Sequence, residues 1–223
     1  LVHFELVHEG RPGDAEAELQ RFSEVTRMFS DRLNRMVGHM GRRLVEGARR
    51  HALIDALTGA HNRGYFNERL PRELERAQAG SRPLCMALLD IDDFHEVNLR
   101  FGWPSGDKVL QTFVGVVEAH IRRVDWLARY GGEEFAIVLP DTDADAAREV
   151  LERVRRAVQA TEFHALDGRT VPVTISIGGA VLQAGVADMV GFTDLASNAC
   201  LLAKSLGKNR VWMSEDPPSA ART

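Results

Sequence analysis

Between residues 14 and 54 the chain has no proline, and apolar side chains fall at Leu19, Phe22, Phe29, Leu33, Met36 and Met40. With Thr26 in the remaining slot, the intervals alternate between three and four, which is the seam of a heptad-repeat helix. Such a helix would extend about 60 Å. After Met40 the seam moves to Leu44 and Ala48, two intervals of four that resemble a stutter. Gly38, Gly41 and Gly47 weaken the helix locally. The stripe fits a surface helix packed on its own domain or a parallel coiled coil joining two copies; its narrowness over many turns favours the coiled coil. Residues 1–13 offer one short strand and then a break at Gly10, Pro12 and Gly13. They read as the remnant of an upstream sensory domain or linker.

From Asp55 the pattern changes to alternating helices and strands, a domain spanning residues 55–213. Asn62 can cap a helix reaching about Ala79, with Pro71 expected to kink or split it. Residues 84–89 are an unbroken apolar run ending in Asp90, as in a buried central strand. An amphipathic helix follows over 107–121, then a hairpin of strands 126–130 and 135–139 around Gly131-Gly132. A helix over 142–160, an alternating strand over 171–181, a helix over 192–206 and a strand over 210–213 complete the series. Too few helices separate these strands for a doubly wound fold. The expectation is an α+β fold: an α/β sandwich with a mostly antiparallel central sheet flanked by helices, preceded by the long α-helix. Residues 214–223 read as a loose tail.

Composition narrows the class but not the activity. With 44% apolar and 27% charged residues the chain is ordinary for a globular protein. A net charge of -4 argues against a nucleic-acid binder. No apolar run reaches the roughly 18 residues of a membrane span, and the first ten residues lack the character of a signal peptide. The absence of an initiator Met reads as an excised segment of a longer protein. Cys85 and Cys200, in apolar surroundings, fit buried thiols of a reducing compartment, so the cytoplasm is the expected location. Of 28 Lys and Arg residues only Lys108, Lys204 and Lys208 are Lys, so each invites a chemical question.

Two acidic groups carry the candidate chemistry. Asp90-Ile91-Asp92-Asp93 ends a buried strand, where a carboxylate is held rigidly at a cleft edge and suits a hard divalent cation. Taken alone, such a cluster serves equally to solvate a loop. Glu133-Glu134 follows two glycines at a hairpin tip; alone it reads as a charged turn. Placed side by side, the two groups could share two metal ions, the arrangement used for in-line attack on phosphate.

Gly131-Gly132-Glu133-Glu134-Phe135 matches the GGDEF/GGEEF signature, and the domain resembles the diguanylate cyclases that carry it. Asp55-Ala56-Leu57-Thr58-Gly59-Ala60-His61-Asn62-Arg63, Leu89 to Phe94, Asn98 with Gly106-Asp107, Thr174 to Gly178, and Ala203-Lys204 with Gly207 to Arg210 resemble further family blocks in order and spacing. The resemblance implies that the sandwich is of the nucleotide-cyclase or palm-like kind, and that it condenses two GTP into cyclic di-GMP and two pyrophosphates. It implies Glu133, Glu134 and Asp90 as catalytic residues, with Asp90, the Ile91 carbonyl and Glu133 holding Mg2+ or Mn2+, two ions per GTP site. Asn98 and Asp107 would read guanine, and Phe94, Lys204 and Lys208 would contact the phosphates. Each domain would bind one GTP, so the reaction implies a homodimer, with the register of the N-terminal helix governing whether the halves meet. Arg122 and Asp125, with Arg153 as a further contributor, fall at the family's product-inhibition site for cyclic di-GMP.

The chain departs from the family pattern at His95, Leu99, Trp103-Pro104, Asn198 and Leu202, where Lys, Asp, His, Asp and Tyr are common. These changes bear on turnover and on the shape of the loop from His95 to Ser105. A receptor module that binds GTP or cyclic di-GMP without turnover is the rival reading, and intact Asp90, Glu133, Glu134 and Lys204 disfavour it. A cyclase of mixed dinucleotides is disfavoured by Asp107. A purely structural dimerisation protein leaves the carboxylates unexplained.

Overall fold

The apolar run ending at Asp90 becomes β1 (Leu84–Ile91), every residue of which is buried. The structure is a computed structural model that describes residues 53–182 and 188–216. The described elements are α1 (Arg63–Gly80), β1, α2 (Phe94–Phe101), α3 (Trp103–Glu118), β2 (Trp126–Gly131), β3 (Glu134–Pro140), α4 (Ala144–Ala160), β4 (Phe163–His164), β5 (Thr170–Val171), β6 (Ile175–Val181), α5 (Met189–Ser205) and β7 (Val211–Met213). A five-stranded sheet has the order β2-β3-β1-β6-β7. Its pairings are antiparallel except β6 with β7. The expected α+β sandwich with a mostly antiparallel sheet is the fold that forms.

Alternation along β1 divides the core in two. Cys85, Ala87, Leu89 and Ile91 pack with Val97 of α2, Phe113 of α3 and Leu151 and Val154 of α4. Leu84, Met86 and Leu88 pack with Phe66, Leu70 and Leu74 of α1 and Phe192 and Ala196 of α5. A strand covered on both faces needs no polar alternation, so it reads as continuous apolar sequence. Asp90 continues the even-numbered series and therefore emerges on the α1/α5 face.

Helix α5 lies directly on β6 because residue 178 is glycine. A Cβ there would stand 2.0 Å from the Cys200 nitrogen and 2.3 Å from the Ala196 oxygen. That close approach brings the C-terminal end of α5 to the end of β1.

Residues 53–62 form a wide turn. The Asn62 N–H donates to Leu53 O at 3.0 Å and the Asp55 N–H to Ala60 O at 2.8 Å. Asp55 Oδ1 accepts from the Thr58 N–H (2.9 Å), the Thr58 hydroxyl (2.7 Å) and Arg129 Nη1 (3.0 Å). Arg129 Nε also donates to Gly132 O at 3.0 Å. One guanidinium therefore ties the wide turn to the turn between β2 and β3. Burial pushes the Asp55 carboxyl up, but the Thr58 hydrogen bonds and Arg129 outweigh it and hold the group below its ordinary value of 3.8.

Several expectations are corrected. The helix expected over 14–54 lies outside the described residues apart from its last two, Leu53 and Ile54, which belong to the wide turn. Pro71 does not split α1, whose cap is Asn62 accepting from the Tyr65 N–H. The carbonyl that loses its partner to Pro71 is that of exposed Asn67, which water can reach, while Leu70 and Leu74 anchor both sides. The loop from His95 to Ser105 is instead α2 and the first turn of α3, reversing at Gly102. The strand over 171–181 is interrupted, β5 pairing with β4 while β6 joins the main sheet. Ser214 to Asp216 are not loose: Asp216 accepts from the Met213 N–H at 2.9 Å and pairs with Arg148.

Two predictions follow the packing. Gly178→Ala lowers stability by on the order of 3 kcal/mol and Tm by about 10 °C, whereas Gly132→Ala, with open space around the added methyl, stays within about 0.5 kcal/mol; thermal melts of both compare them. A carboxyl whose folded value is lowered stabilises the fold above its unfolded value and loses that contribution as pH falls through the folded value. Asp55→Asn therefore melts below wild type at neutral pH, and the difference shrinks as pH drops below 3.8; a gap independent of pH contradicts this.

Candidate active site

Asp90 stands in register with Glu134 of β3 on one side and Ser176 of β6 on the other, so the three side chains share one face of the sheet. It is 7% exposed. Lys204, near the end of α5, places Nζ 2.6 Å from Asp90 Oδ2. Burial pushes the Asp90 carboxyl up, Lys204 pulls it down, and the charges of Glu133 and Glu134 push it up again; the net shift is upward. Burial alone would lower the Lys204 ammonium, but its hydrogen bond and attraction to Asp90 prevail and raise it. Glu133 lies in the turn between β2 and β3, half-buried, and its carbonyl accepts from the Ile91 N–H at 3.5 Å. Asp90, Ile91, Glu133 and Glu134 are thus brought together as expected.

The two other carboxylates of the cluster do different work. Asp92 is buried and accepts from Thr174 Oγ1 (2.7 Å), Ser176 Oγ (2.6 Å) and the Asn209 N–H (3.0 Å). It fixes the turn after α5 rather than facing the cleft, a role the acidic run did not reveal. Asp93 is exposed and lies 2.5 Å from Lys208 Nζ. Both lysines expected at the phosphates therefore stand at the acidic strand end. Phe94 is the first residue of α2, with Asp93 before it in a left-handed conformation (φ 54°).

Asn98 on α2 packs closely on α3, one residue before Asp107, because Gly106 lacks a side chain. A Cβ at Gly106 would lie 2.0 Å from Asn98 Oδ1. That oxygen is buried and has no hydrogen-bond partner. A buried orphan acceptor costs roughly 1–3 kcal/mol, and His61 Nδ1 and Trp126 Nε1 are left in the same condition. Asp107, next after Gly106, is exposed.

Arg122 grips Asp125 with both arms, Nε to Oδ2 at 3.1 Å and Nη2 to Oδ1 at 2.8 Å, and the Arg122 N–H donates to Oδ2 at 2.8 Å. Arg122 Nη2 also donates to Thr142 Oγ1 at 2.6 Å. The Asp125 hydrogen bond raises the Arg122 guanidinium further above its ordinary value. Both residues line a cavity of about 360 Å3 with His61 and Glu118. Arg153 does not join them. It donates to His120 O at 3.2 and 2.9 Å and lines a separate groove of about 550 Å3 with Arg148 and Arg156.

Among the described residues no three or more His, Cys, Asp or Glu side chains gather as a metal cluster. The donor set for a cation is therefore small: Asp90, Glu133 and main-chain oxygen. It still fits a hard divalent ion, because the upward push of Glu133 and Glu134 on buried Asp90 is the repulsion that such a charge relieves. Asp55 is legible in the sequence only as the first residue of a motif, and nothing there signals that it pairs with Arg129.

The comparisons with known proteins agree with this geometry. The family model described as "Diguanylate cyclase, GGDEF domain" matches residues 52–210. Diguanylate cyclase DgcP of Pseudomonas aeruginosa is 39% identical over 167 residues, covering 75% of this chain and 25% of that protein. Response regulator PleD of Caulobacter vibrioides is 38% identical over 162 residues, 72% of this chain and 36% of its own. The chain thus spans about a third or less of these relatives. A crystal structure of the coiled coil and GGDEF domain of DgcB from Caulobacter crescentus, in complex with c-di-GMP, superposes with a TM-score of 0.74 at 29% identity over 89% of this chain and 98% of that one. The signature hairpin, the acidic strand end and the paired lysines all fall inside the matched segment, and the chain belongs to the GGDEF-domain diguanylate cyclase family.

Proposed function

We propose that this chain is the catalytic module of a diguanylate cyclase, condensing two GTP into cyclic di-GMP and two pyrophosphates across a homodimer. The observation that carries the reading is the convergence of Asp90, Glu133 and Glu134 with Lys204, with Lys208 on neighbouring Asp93. Asn98 and Asp107 would receive guanine, the carboxylate accepting from N1–H and the exocyclic amine. Adenine lacks that donor pair, so a site built for it rejects ATP. Phe94, Lys204 and Lys208 would receive the phosphates.

Each GTP presents its 3′-oxygen to the α-phosphorus of the GTP in the facing domain. The O3′–P bond forms, the bond from that phosphorus to the bridging oxygen breaks, and pyrophosphate leaves with the electron pair; the second half-reaction closes the ring. The protein positions and neutralises, forming no covalent intermediate. Diguanylate cyclases of this family depend on metal, and Asp90, Glu133 and the Ile91 carbonyl would hold Mg2+ or Mn2+, two ions per GTP site. When bound, these ions acidify the hydroxyl and offset charge on the phosphates. Glu134, on the same face as Asp90, would stand near the reacting hydroxyl.

The heptad positions from Leu19 to Met40 support pairing of two chains through an N-terminal coiled coil that ends before the wide turn at Leu53, and the matched DgcB structure includes a coiled coil. Residues 1–13 would then join it to an upstream sensory domain. No helix among the described residues is long and apolar enough to cross a membrane. Burial pushes the Cys200 thiol up to about 12 and the Cys85 thiol higher still, and both are free. Unreactive reduced thiols support a cytoplasmic location. Arg122 and Asp125 would bind cyclic di-GMP as an inhibitor, with Arg153 contributing from its neighbouring groove.

Pyrophosphate release from GTP with Mg2+ tests the site. Glu133→Gln lowers kcat by on the order of 100-fold or more, and ATP is used at least about 1000-fold less well than GTP. Wild-type rates in the variant would reject the assignment. Arg122→Ala raises the cyclic di-GMP concentration for half-inhibition by about tenfold or more; unchanged inhibition removes Arg122 from that site.

A further inference from the structure

We propose that Trp103 is a substrate-contacting residue whose indole forms the face on which the guanine of GTP stacks. This deepens the reading above and rests on it, since it takes Asn98 and Asp107 as the groups that meet the base edge. The chain has three tryptophans. Trp126 and Trp212 are 4% and 7% exposed and belong to the core, whereas Trp103 is 73% exposed. An indole held in water gives up the stabilisation that burial of so large a ring provides. Leu99, next in sequence to Asn98, is also 68% exposed, so large apolar side chains stand out of the core on both sides of the guanine pair.

The position of Trp103 on α3 accounts for the exposure. It is the first residue of that helix, and Asp107 stands one turn further along, so both occupy the same helical face. Helical side chains lean toward the N-terminus, which carries the Asp107 carboxylate over the turn that begins at Trp103. The same turn closes over Asn98. The N–H groups of Ser105 and Gly106 donate to Gly102 O at 3.1 and 3.2 Å, and the Gly102 N–H donates to Asn98 O at 2.9 Å. Gly106 then lies against the orphaned Asn98 Oδ1. A base engaged through its edge by Asp107 and Asn98 has its plane beside this turn. The neighbouring rings are committed elsewhere: Phe94 is buried, and Phe101 is covered by Arg100 and Arg169. Trp103 offers the free π surface. Stacking needs only a flat ring, so it adds affinity while selection for guanine stays with Asp107.

The whole chain is titrated with 3′-deoxy-GTP and Mg2+, which binds without turnover because the attacking hydroxyl is missing, and tryptophan emission is followed. Emission changes in wild type and not in Trp103→Phe, which keeps Trp126 and Trp212. In steady state Trp103→Ala raises KM for GTP about tenfold with kcat within about twofold, and Trp103→Phe recovers most of the loss. An unchanged KM in Trp103→Ala, or the same emission change in Trp103→Phe, overturns the proposal while wild-type cyclic di-GMP synthesis leaves the guanine site standing. A wild type that makes no product and shows no emission change overturns both.

Discussion

Asp90 sets the constraint on which this domain is built. Its carboxylate ends the central strand of the sheet at 7% exposure, and a charge so placed must be met by an opposite charge or neutralised. Lys204 meets it at 2.6 Å. That contact requires α5 to lie close enough to the sheet for its last turns to reach the end of β1. The missing side chain at Gly178 allows this, since any Cβ there would meet the α5 backbone. The central strand, the helix that covers it and the charge pair at its end are therefore one arrangement, with the Asp90 carboxylate at the point where they meet.

Around this anchor the remaining carboxylates divide between structure and chemistry. Asp92, two residues beyond Asp90, is saturated by Thr174, Ser176 and the Asn209 N–H and holds the turn that carries Lys208. Asp55 is engaged by Thr58 and Arg129, and Arg129 holds the Gly132 carbonyl of the signature turn. Each flexible piece of the site is thus tied back to a rigid element, the condition for charge stabilisation without reorganisation at the moment of reaction. Asn98 differs in kind. Its amide oxygen is buried without a hydrogen-bond partner among the described residues.

Much of this was legible in the residues. The run from Leu84 to Leu89 announced a central strand because burial on both faces suppresses alternation. The Gly131-Gly132 pair announced the hairpin, and the scarcity of lysine drew attention to Lys204 and Lys208. Partnerships across the fold were not legible. Asp90, Asp92 and Asp93 look alike in sequence, and only strand pairing and the course of α5 decide that one faces the cleft, one is buried in hydrogen bonds and one meets Lys208. Helix α2 was missed because its few apolar positions, Phe94, Val97 and Phe101, span barely two turns. The break at residues 172–174 was hidden because Val171, Val173 and Ile175 keep a strand's alternation while the chain passes from the β4–β5 pair into the main sheet. Arg153, expected from the family resemblance to contribute beside Arg122, lines a different cavity from it.

A single domain supplies one set of carboxylates and one pair of lysines and, on the function proposed, one guanine site, which is half of what joining two nucleotides needs. Two such domains, each holding its own GTP against Asp90, would then make a cyclic product together. The most direct test is to incubate the chain with GTP and Mg2+, identify the nucleotide product by mass and confirm in parallel that the chain is dimeric. The expected product is cyclic di-GMP, with two pyrophosphates released for each molecule formed. A verified dimer that binds GTP and yields no cyclic di-GMP would contradict the function proposed.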